Sequence, residues 1–196
     1  MKIILGLTGP NAAGKGEVCK YLGKKGFYVT SLSDILRKIA KRKKISPTRI
    51  NLVNLGNKLR KKYGSNILAK WTIEDIIKNS NNFDKVVVDS FRNPEEIKEF
   101  KKKFNNKFFL LYITAPKKLR FKFMKLRNRE GDPKTYKEFL EIERKEKSNK
   151  SIQQQIHKCK ELKDFYIKNN STLKNLYKKI NKVLEKINLK IYDRKN

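Results

Sequence analysis

The segment that most constrains the fold of this chain runs from Gly9 to Lys15 and fits the pattern GxxxxGK. Residues 3–7 before it form a short apolar run typical of a strand, and residues 15–25 after it have the pattern of a helix that stops at Gly26. Glycines and small residues let consecutive backbone N–H groups curve around an anion, and the N-terminus of the following helix favours negative charge. The sequence therefore predicts a phosphate-binding loop from which Lys15 reaches the terminal phosphates of a nucleotide.

The two residues after the lysine depart from the usual phosphate loop. A Ser or Thr whose hydroxyl binds magnesium is expected there, but the chain continues with Gly16 and Glu17. The Glu17 carboxylate could hold a magnesium-bound water, or it could be an acidic residue that favours the helix dipole. A third interpretation is weakened catalysis. Magnesium coordination is the part of the predicted site that the sequence leaves open.

The rest of the chain alternates strand-like and helical segments. Val86 to Val88 is a β-branched run without polar alternation, which is typical of a strand buried on both faces of a parallel sheet. Further strands are predicted at 27–30, 108–113 and 165–167. Helices are predicted between them, one of them polar and reaching about Lys160, with Ser33, Asn93 and Ser171 as N-terminal caps and Gly64 as a C-terminal cap. This order predicts one α/β domain over 1–196, a three-layer fold with about five parallel strands between helices.

Charge and composition limit the partners and the compartment. The chain has 50 Lys and Arg against 19 Asp and Glu, a formal net charge of +31, which attracts phosphate-bearing molecules without identifying them. The basic residues are mostly Lys and are spread along the chain, whereas nucleic-acid sites favour Arg and aromatic residues on one face. We therefore interpret the high positive charge as the residue usage of an AT-rich genome. Nucleic-acid binding is the alternative interpretation. Two cysteines and no membrane-length apolar run predict a cytoplasmic protein without a membrane partner.

Three blocks, in order along the chain, resemble the nucleoside monophosphate kinase group, which includes adenylate kinase, with dephospho-coenzyme A kinase and deoxynucleotide kinase relatives. The segment 9–16 resembles the ATP phosphate loop of that group. Residues 33–37, Ser-Asp-Ile-Leu-Arg, resemble its acceptor-binding helix, with Ser33 in place of a glycine. Residues 86–92 resemble its strand leading into Asp-Gly-Phe-Pro-Arg. The resemblance reaches Asn170 and implies the P-loop kinase fold, with an acceptor-binding segment at about 31–80 and a lid at about 120–160.

The resemblance also implies ATP and Mg²⁺ as cofactors and assigns residues to roles. The implied ATP-binding residues are Gly9, Asn11, Ala12, Ala13, Gly14, Lys15, Gly16, Glu17, Arg120, Arg127 and Asn170. The implied catalytic residues are Lys15, Asp89, Arg127 and Arg129, and the implied magnesium ligands are Asp89 and, through water, Glu17. The implied acceptor-binding residues are Asp34, Arg37 and Arg92. Asp34 and Arg37 lie three residues apart, so they either converge on one ligand or form a surface ion pair.

These residues predict an ATP-dependent phosphotransferase with a small nucleotide-like acceptor, in the first place a nucleoside or deoxynucleoside monophosphate. One alternative is dephospho-coenzyme A, whose ribose hydroxyl would need a base such as Asp34. The alternative from another class is a nucleic-acid-binding protein switched by ATP. Because a pure switch needs no clamp for an acceptor phosphate, Arg37 and Arg92 favour the kinase.

Overall fold

The computed structural model describes residues 3–80, 82–128, 131–145 and 153–192. Within these ranges the strands are β1 (Ile3–Thr8), β2 (Tyr28–Ser31), β3 (Lys85–Phe91), β4 (Phe108–Thr114) and β5 (Phe165–Lys168). The helices are α1 (Lys15–Lys24), α2 (Leu32–Arg42), α3 (Arg49–Tyr63), α4 (Ile67–Asn79), α5 (Pro94–Phe104), α6 (Lys117–Arg127), α7 (Tyr136–Lys145), α8 (Ile156–Glu161) and α9 (Leu173–Tyr192). Residues 105–107 form a 3₁₀ turn.

The strands form one parallel sheet in the order β2-β3-β1-β4-β5. Its central strands are buried on both faces, as the apolar run at Val86–Val88 predicted. Alternate side chains enter two separate cores: Ile4 packs with α2–α5, whereas Leu5 packs with α1 and α9. The predicted α/β fold, a five-stranded parallel sheet between helical layers, is confirmed.

Several predicted element boundaries were wrong, each for a local reason. The N-cap of α2 is Ser31 rather than Ser33, because Ser31 has an extended backbone and its hydroxyl accepts from Ser33 N at 3.1 Å. Likewise Thr172, and not Ser171, accepts from a backbone N–H of the first turn of α9. The Asn93 cap was correct and forms a complete capping box with Glu96.

The polar helix predicted to reach Lys160 is not continuous. It appears as two separate helices, α7 and α8, and residues 146–152 between them lie outside the described part. Gln155 just before α8 is not helical, and its N–H donates to Arg92 O at 2.7 Å. A backbone hydrogen bond between residues this far apart cannot be predicted from the local sequence pattern. It brings residues 153–155 beside the loop that follows β3.

The carboxyl ends of β1, β2 and β3 open into a cleft of about 1280 Å³. Residues of α2–α4 line one end of this cleft, and residues of α6 and the start of α9 line the other. The crevice outside the carboxyl ends of parallel strands is where open α/β sheets bind ligands. None of the helices in the described ranges is long and apolar enough to cross a membrane.

Candidate functional site

The loop between β1 and α1 has the conformation of an anion-binding cradle. Gly9 and Gly14 have φ values of +129° and +101°, a region that side-chain-bearing residues rarely adopt. A Cβ at Gly9 would overlap the carbonyl oxygen of Ile113, and one at Gly14 would lie 2.5 Å from Asn169 Nδ2. Both glycines are therefore required by the backbone conformation and by the close approach of the neighbouring chain.

Lys15 is the first residue of α1 and is only 7% exposed. Its ammonium group donates to Gly9 O and Pro10 O, each at 2.9 Å, so the charge lies over the loop. The carbonyls hold the amine where it can exchange these bonds for phosphate oxygens. The role of Lys15 in binding the terminal phosphates of a nucleotide stays a prediction.

A buried asparagine just after β5, Asn169, contacts the phosphate loop. Asn169 Nδ2 donates to Ala13 O at 3.1 Å, and Asn169 N donates to Thr114 O at 2.6 Å. The sequence had pointed to Asn170, which is exposed and whose Oδ1 accepts from Lys179 Nζ at 3.4 Å. The neighbouring residues Ser171 to Leu173, but not Asn170, line the cleft.

The residues proposed for magnesium lie at the same edge of the sheet. A Cβ added at Gly16 would meet no described atom within 4 Å, so the space that a Ser or Thr hydroxyl would use is open. Asp89 lines the cleft at the end of β3, and its Oδ1 accepts from Ser90 N at 2.6 Å. Glu17 also lines the cleft, and its carboxylate pairs with exposed Lys20 at 2.9 Å.

In the described residues no three His, Cys, Asp or Glu side chains form a group that could hold a metal by themselves. Magnesium commonly binds through one or two carboxylates, with water and substrate phosphates completing the shell. Asp89 lines the cleft and fits this pattern, whereas the Glu17 carboxylate is paired with Lys20 and its role toward magnesium stays a prediction. The site therefore suits a magnesium ion that arrives with a nucleotide.

Asp34 and Arg37 form an ion pair and also line the cleft. Arg37 Nη1 donates to Asp34 Oδ1 at 2.9 Å and to Ser33 Oγ at 3.1 Å. Both side chains are 48% exposed, so an entering ligand could exchange the pair for its own polar groups. The two interpretations of this spacing are thus compatible.

Arg92 connects three parts of the cleft. Its Nη2 donates to Asn11 Oδ1 in the phosphate loop at 2.8 Å, and its Nη1 donates to Gln154 Oε1 at 3.2 Å. Its backbone N–H donates to Glu96 Oε2 at 2.9 Å. The guanidinium is consequently held beside the phosphate loop.

A buried ion pair that the sequence did not reveal supports Arg92. Arg60 of α3 is 4% exposed, Glu96 of α5 is fully buried, and Arg60 Nη2 lies 2.7 Å from Glu96 Oε1. The other carboxylate oxygen, Oε2, accepts from Arg92 N and Asn93 N. The capping pattern revealed Glu96, but its partner lies 36 residues away and no local signal marks it.

The arginines predicted for the lid have different surroundings. Arg120 is 3% exposed, donates to Glu143 through both Nη1 and Nη2 at 2.8 and 2.5 Å, and contacts Asn11 O at 3.3 Å. It therefore connects α6, α7 and the phosphate loop, and it is not among the residues that line the cleft.

Arg127 does line the cleft and forms a two-bond ion pair with Asp132, at 2.6 and 2.7 Å. Arg129 lies outside the described residues.

Cys19 lies on the cleft side of α1 near the phosphate loop. Burial, with a further contribution from the Asp89 carboxylate, raises the pKa of this thiol to about 12. The thiol is therefore protonated at neutral pH and contributes packing rather than a nucleophile. Burial likewise raises the pKa of the Cys159 thiol.

Comparisons with known proteins agree with this geometry. A family model described as AAA domain matches residues 8–140. The UPF0200 protein PH1008 of Pyrococcus horikoshii is 34% identical over 186 residues, which span 94% of this chain and 97% of that protein.

Two solved structures share the fold. TT1252 from Thermus thermophilus superposes with a TM-score of 0.59 at 18% identity, over 94% of this chain and 97% of that one. Shikimate kinase from Acinetobacter baumannii in complex with shikimate has a TM-score of 0.55 at 13% identity, over 94% and 93% of the two chains. The resemblance to P-loop kinases is thus confirmed at the level of fold, and the chain belongs to the UPF0200 family.

Proposed function

We propose that this protein is an ATP-dependent phosphotransferase whose acceptor is a nucleoside or deoxynucleoside monophosphate. The observation that carries the proposal is that one continuous cleft contains a phosphate loop and, on other elements, a second group of cationic side chains. These side chains are Arg37 on α2, Arg49 on α3, and Arg92 after β3. A protein that only hydrolyses ATP has no need for a second anion-binding region.

The end of the cleft lined by α2–α4, which we call the acceptor end, also suits a nucleotide. Leu36, Leu52, Val53 and Leu68 provide aliphatic surface there, beside the arginines. Ligand sites of this kind combine apolar walls, which cover a ring system, with a few polar groups that fix its orientation. A monophosphate offers both parts, because its base is largely apolar on its faces and its phosphate is an anion.

The proposed chemistry requires positioning and charge neutralisation more than covalent participation by the protein. The Lys15 ammonium would replace its hydrogen bonds to two loop carbonyls with hydrogen bonds to the terminal phosphates of the donor. Arg37 and Arg92 would bind the acceptor phosphate. Because Arg92 already contacts Asn11, it would place the acceptor next to the phosphate loop. Magnesium held near Asp89 would supply further neutralisation of the phosphate charge.

A panel of acceptors tests the proposal. Purified protein, ATP and Mg²⁺ are incubated with each nucleoside monophosphate, each deoxynucleoside monophosphate, dephospho-coenzyme A and shikimate, and ADP formation is measured. We expect at least one monophosphate to stimulate ADP formation more than tenfold over the rate without acceptor. If every member leaves that rate unchanged, the proposal is wrong. Salt-sensitive RNA binding together with such a result would support the ATP-switched alternative.

Asp34→Asn separates phosphate acceptors from hydroxyl acceptors. A phosphate oxygen is already a competent nucleophile, so we expect kcat to fall less than about tenfold, with the main effect on the acceptor KM. A ribose hydroxyl needs a base, and general-base removal typically costs about 10²–10⁴-fold in rate. Steady-state kinetics of wild type and variant with the best acceptor provide the measurement. A loss of that larger size with unchanged acceptor binding would favour the hydroxyl alternative.

A further inference from the structure

Strand β3 contains one more residue than its neighbour β1 where the two strands reach the cleft. Gly6 pairs with Val88 and Thr8 pairs with Phe91, so three steps along β3 correspond to two along β1. Ser90 lies in this bulge and has a φ of +72°, in the left-handed region that favours glycine. Bulges next to functional sites redirect side chains, and both Asp89 and Ser90 line the cleft.

The Ser90 hydroxyl belongs to a chain of polar groups at the acceptor end. Its Oγ lies 3.2 Å from Ser33 Oγ, which in turn lies 2.7 Å from Ser31 Oγ. Ser33 Oγ also accepts from Arg37 Nη1 at 3.1 Å. All four side chains line the cleft. The Ser90 hydroxyl is therefore connected through Ser33 to Arg37, the arginine that we propose as an acceptor ligand.

We propose that Ser90 is an acceptor-binding residue, whose hydroxyl bonds to a hydroxyl or phosphate oxygen of the nucleotide acceptor. Glycine at this position would remove the backbone strain but also the hydroxyl. A strained residue persists where the surrounding structure holds it in place, and such residues cluster at ligand sites. The left-handed backbone of Ser90 thus lowers the free energy of unfolding, while its hydroxyl contributes to acceptor binding. The inference rests on the proposed phosphotransferase function.

Three variants test this inference: Ser90→Gly, Ser90→Ala and the control Lys44→Gly. Lys44 is exposed, has a φ of +54°, and is not among the residues that line the cleft. Both glycine variants relieve a left-handed residue, so we expect each to raise Tm by about 1–4 °C. Ser90→Ala keeps the strained backbone and removes only the hydroxyl, so we expect no rise.

Acceptor binding is the second measurement. Titration calorimetry with a non-hydrolysable ATP analogue and each monophosphate of the panel gives Kd without requiring turnover. Loss of one neutral hydrogen bond predicts a Kd about 3–10 times higher for both Ser90 variants, and no change for Lys44→Gly. KM for the acceptor should rise by the same factor, with kcat within about threefold of wild type.

The outcomes separate this inference from the proposed function. If both Ser90 variants bind and phosphorylate the acceptor like wild type, the inference about Ser90 is wrong and the kinase proposal stands. If the wild type binds monophosphates without transferring phosphate, the kinase proposal fails, and the Kd ratios alone decide the role of Ser90. A Ser90→Gly protein that is less stable than Ser90→Ala, beside a stabilised Lys44→Gly protein, would contradict the backbone strain assigned to Ser90.

Discussion

Lys15→Met is expected to lower kcat for ATP-dependent transfer by a factor of about 10²–10³, the usual loss when one positioned donor to a developing charge is removed. Methionine has nearly the length of lysine but cannot donate to phosphate oxygens. Lys15 Nζ donates to the carbonyl oxygens of Gly9 and Pro10 in its own loop, and methionine keeps an apolar side chain of similar length at this buried position, so the fold should persist. Steady-state kinetics with the best acceptor, together with a thermal melt, give both quantities.

The matched control is Lys24→Met. Lys24 lies in the last turn of the same helix and is exposed, so this change removes the same charge away from the cleft. We expect kcat within about twofold of wild type, because exposed charges interact weakly through solvent. Equal losses in the two variants would attribute the effect to net charge and would contradict the role given to Lys15.

Glu96→Ala is expected to reduce the free energy of unfolding by about 3–5 kcal/mol, which is the usual cost of removing one partner of a buried ion pair. The change leaves the Arg60 guanidinium, 4% exposed, without its carboxylate. It also removes the acceptor for Arg92 N and Asn93 N. For a chain of 196 residues this corresponds to a fall in Tm of about 6–20 °C, measured by calorimetry.

The neighbouring residue provides the comparison. Glu95 forms an exposed pair with Lys98 at 2.7 Å, and both side chains are about half exposed. Such pairs contribute about 0–1 kcal/mol, so Glu95→Ala should change Tm by no more than about 4 °C. If Glu96→Ala proves as mild as Glu95→Ala, the buried pair does not hold α3, α5 and Arg92 together.

The fold and the glycine-dependent loop between β1 and α1 could be predicted because their signals are local. A strand, a glycine-rich loop and a helix follow one another within the first 25 residues, and the run Val86–Val88 identifies a strand buried on both faces. Asn93, Pro94 and Glu96 indicate a helix start through capping alone. Each of these features depends on residues a few positions apart.

The remaining parts depend on contacts between distant segments. Arg60 and Glu96 meet only once α3 and α5 pack, and Asn169 rather than Asn170 reaches the loop because of where β5 ends. Arg120, which was expected to bind ATP, donates to Glu143 and to Asn11 O of the phosphate loop, and neither contact could be inferred from its position in the sequence. The left-handed Ser90 follows from the register of β3 against β1. Charge and helical spacing do not contain this information.

The central claim is that the cleft transfers phosphate from ATP to a second molecule, and isotope tracing tests it most directly. Protein is incubated with ATP labelled at the γ-phosphate, Mg²⁺ and the acceptor that most stimulates ADP formation, and the products are separated. We predict that label appears in the acceptor in a one-to-one ratio with ADP, and that Lys15→Met abolishes most of it. Label recovered only as free inorganic phosphate, at a rate independent of acceptor, would contradict the account and indicate an ATPase.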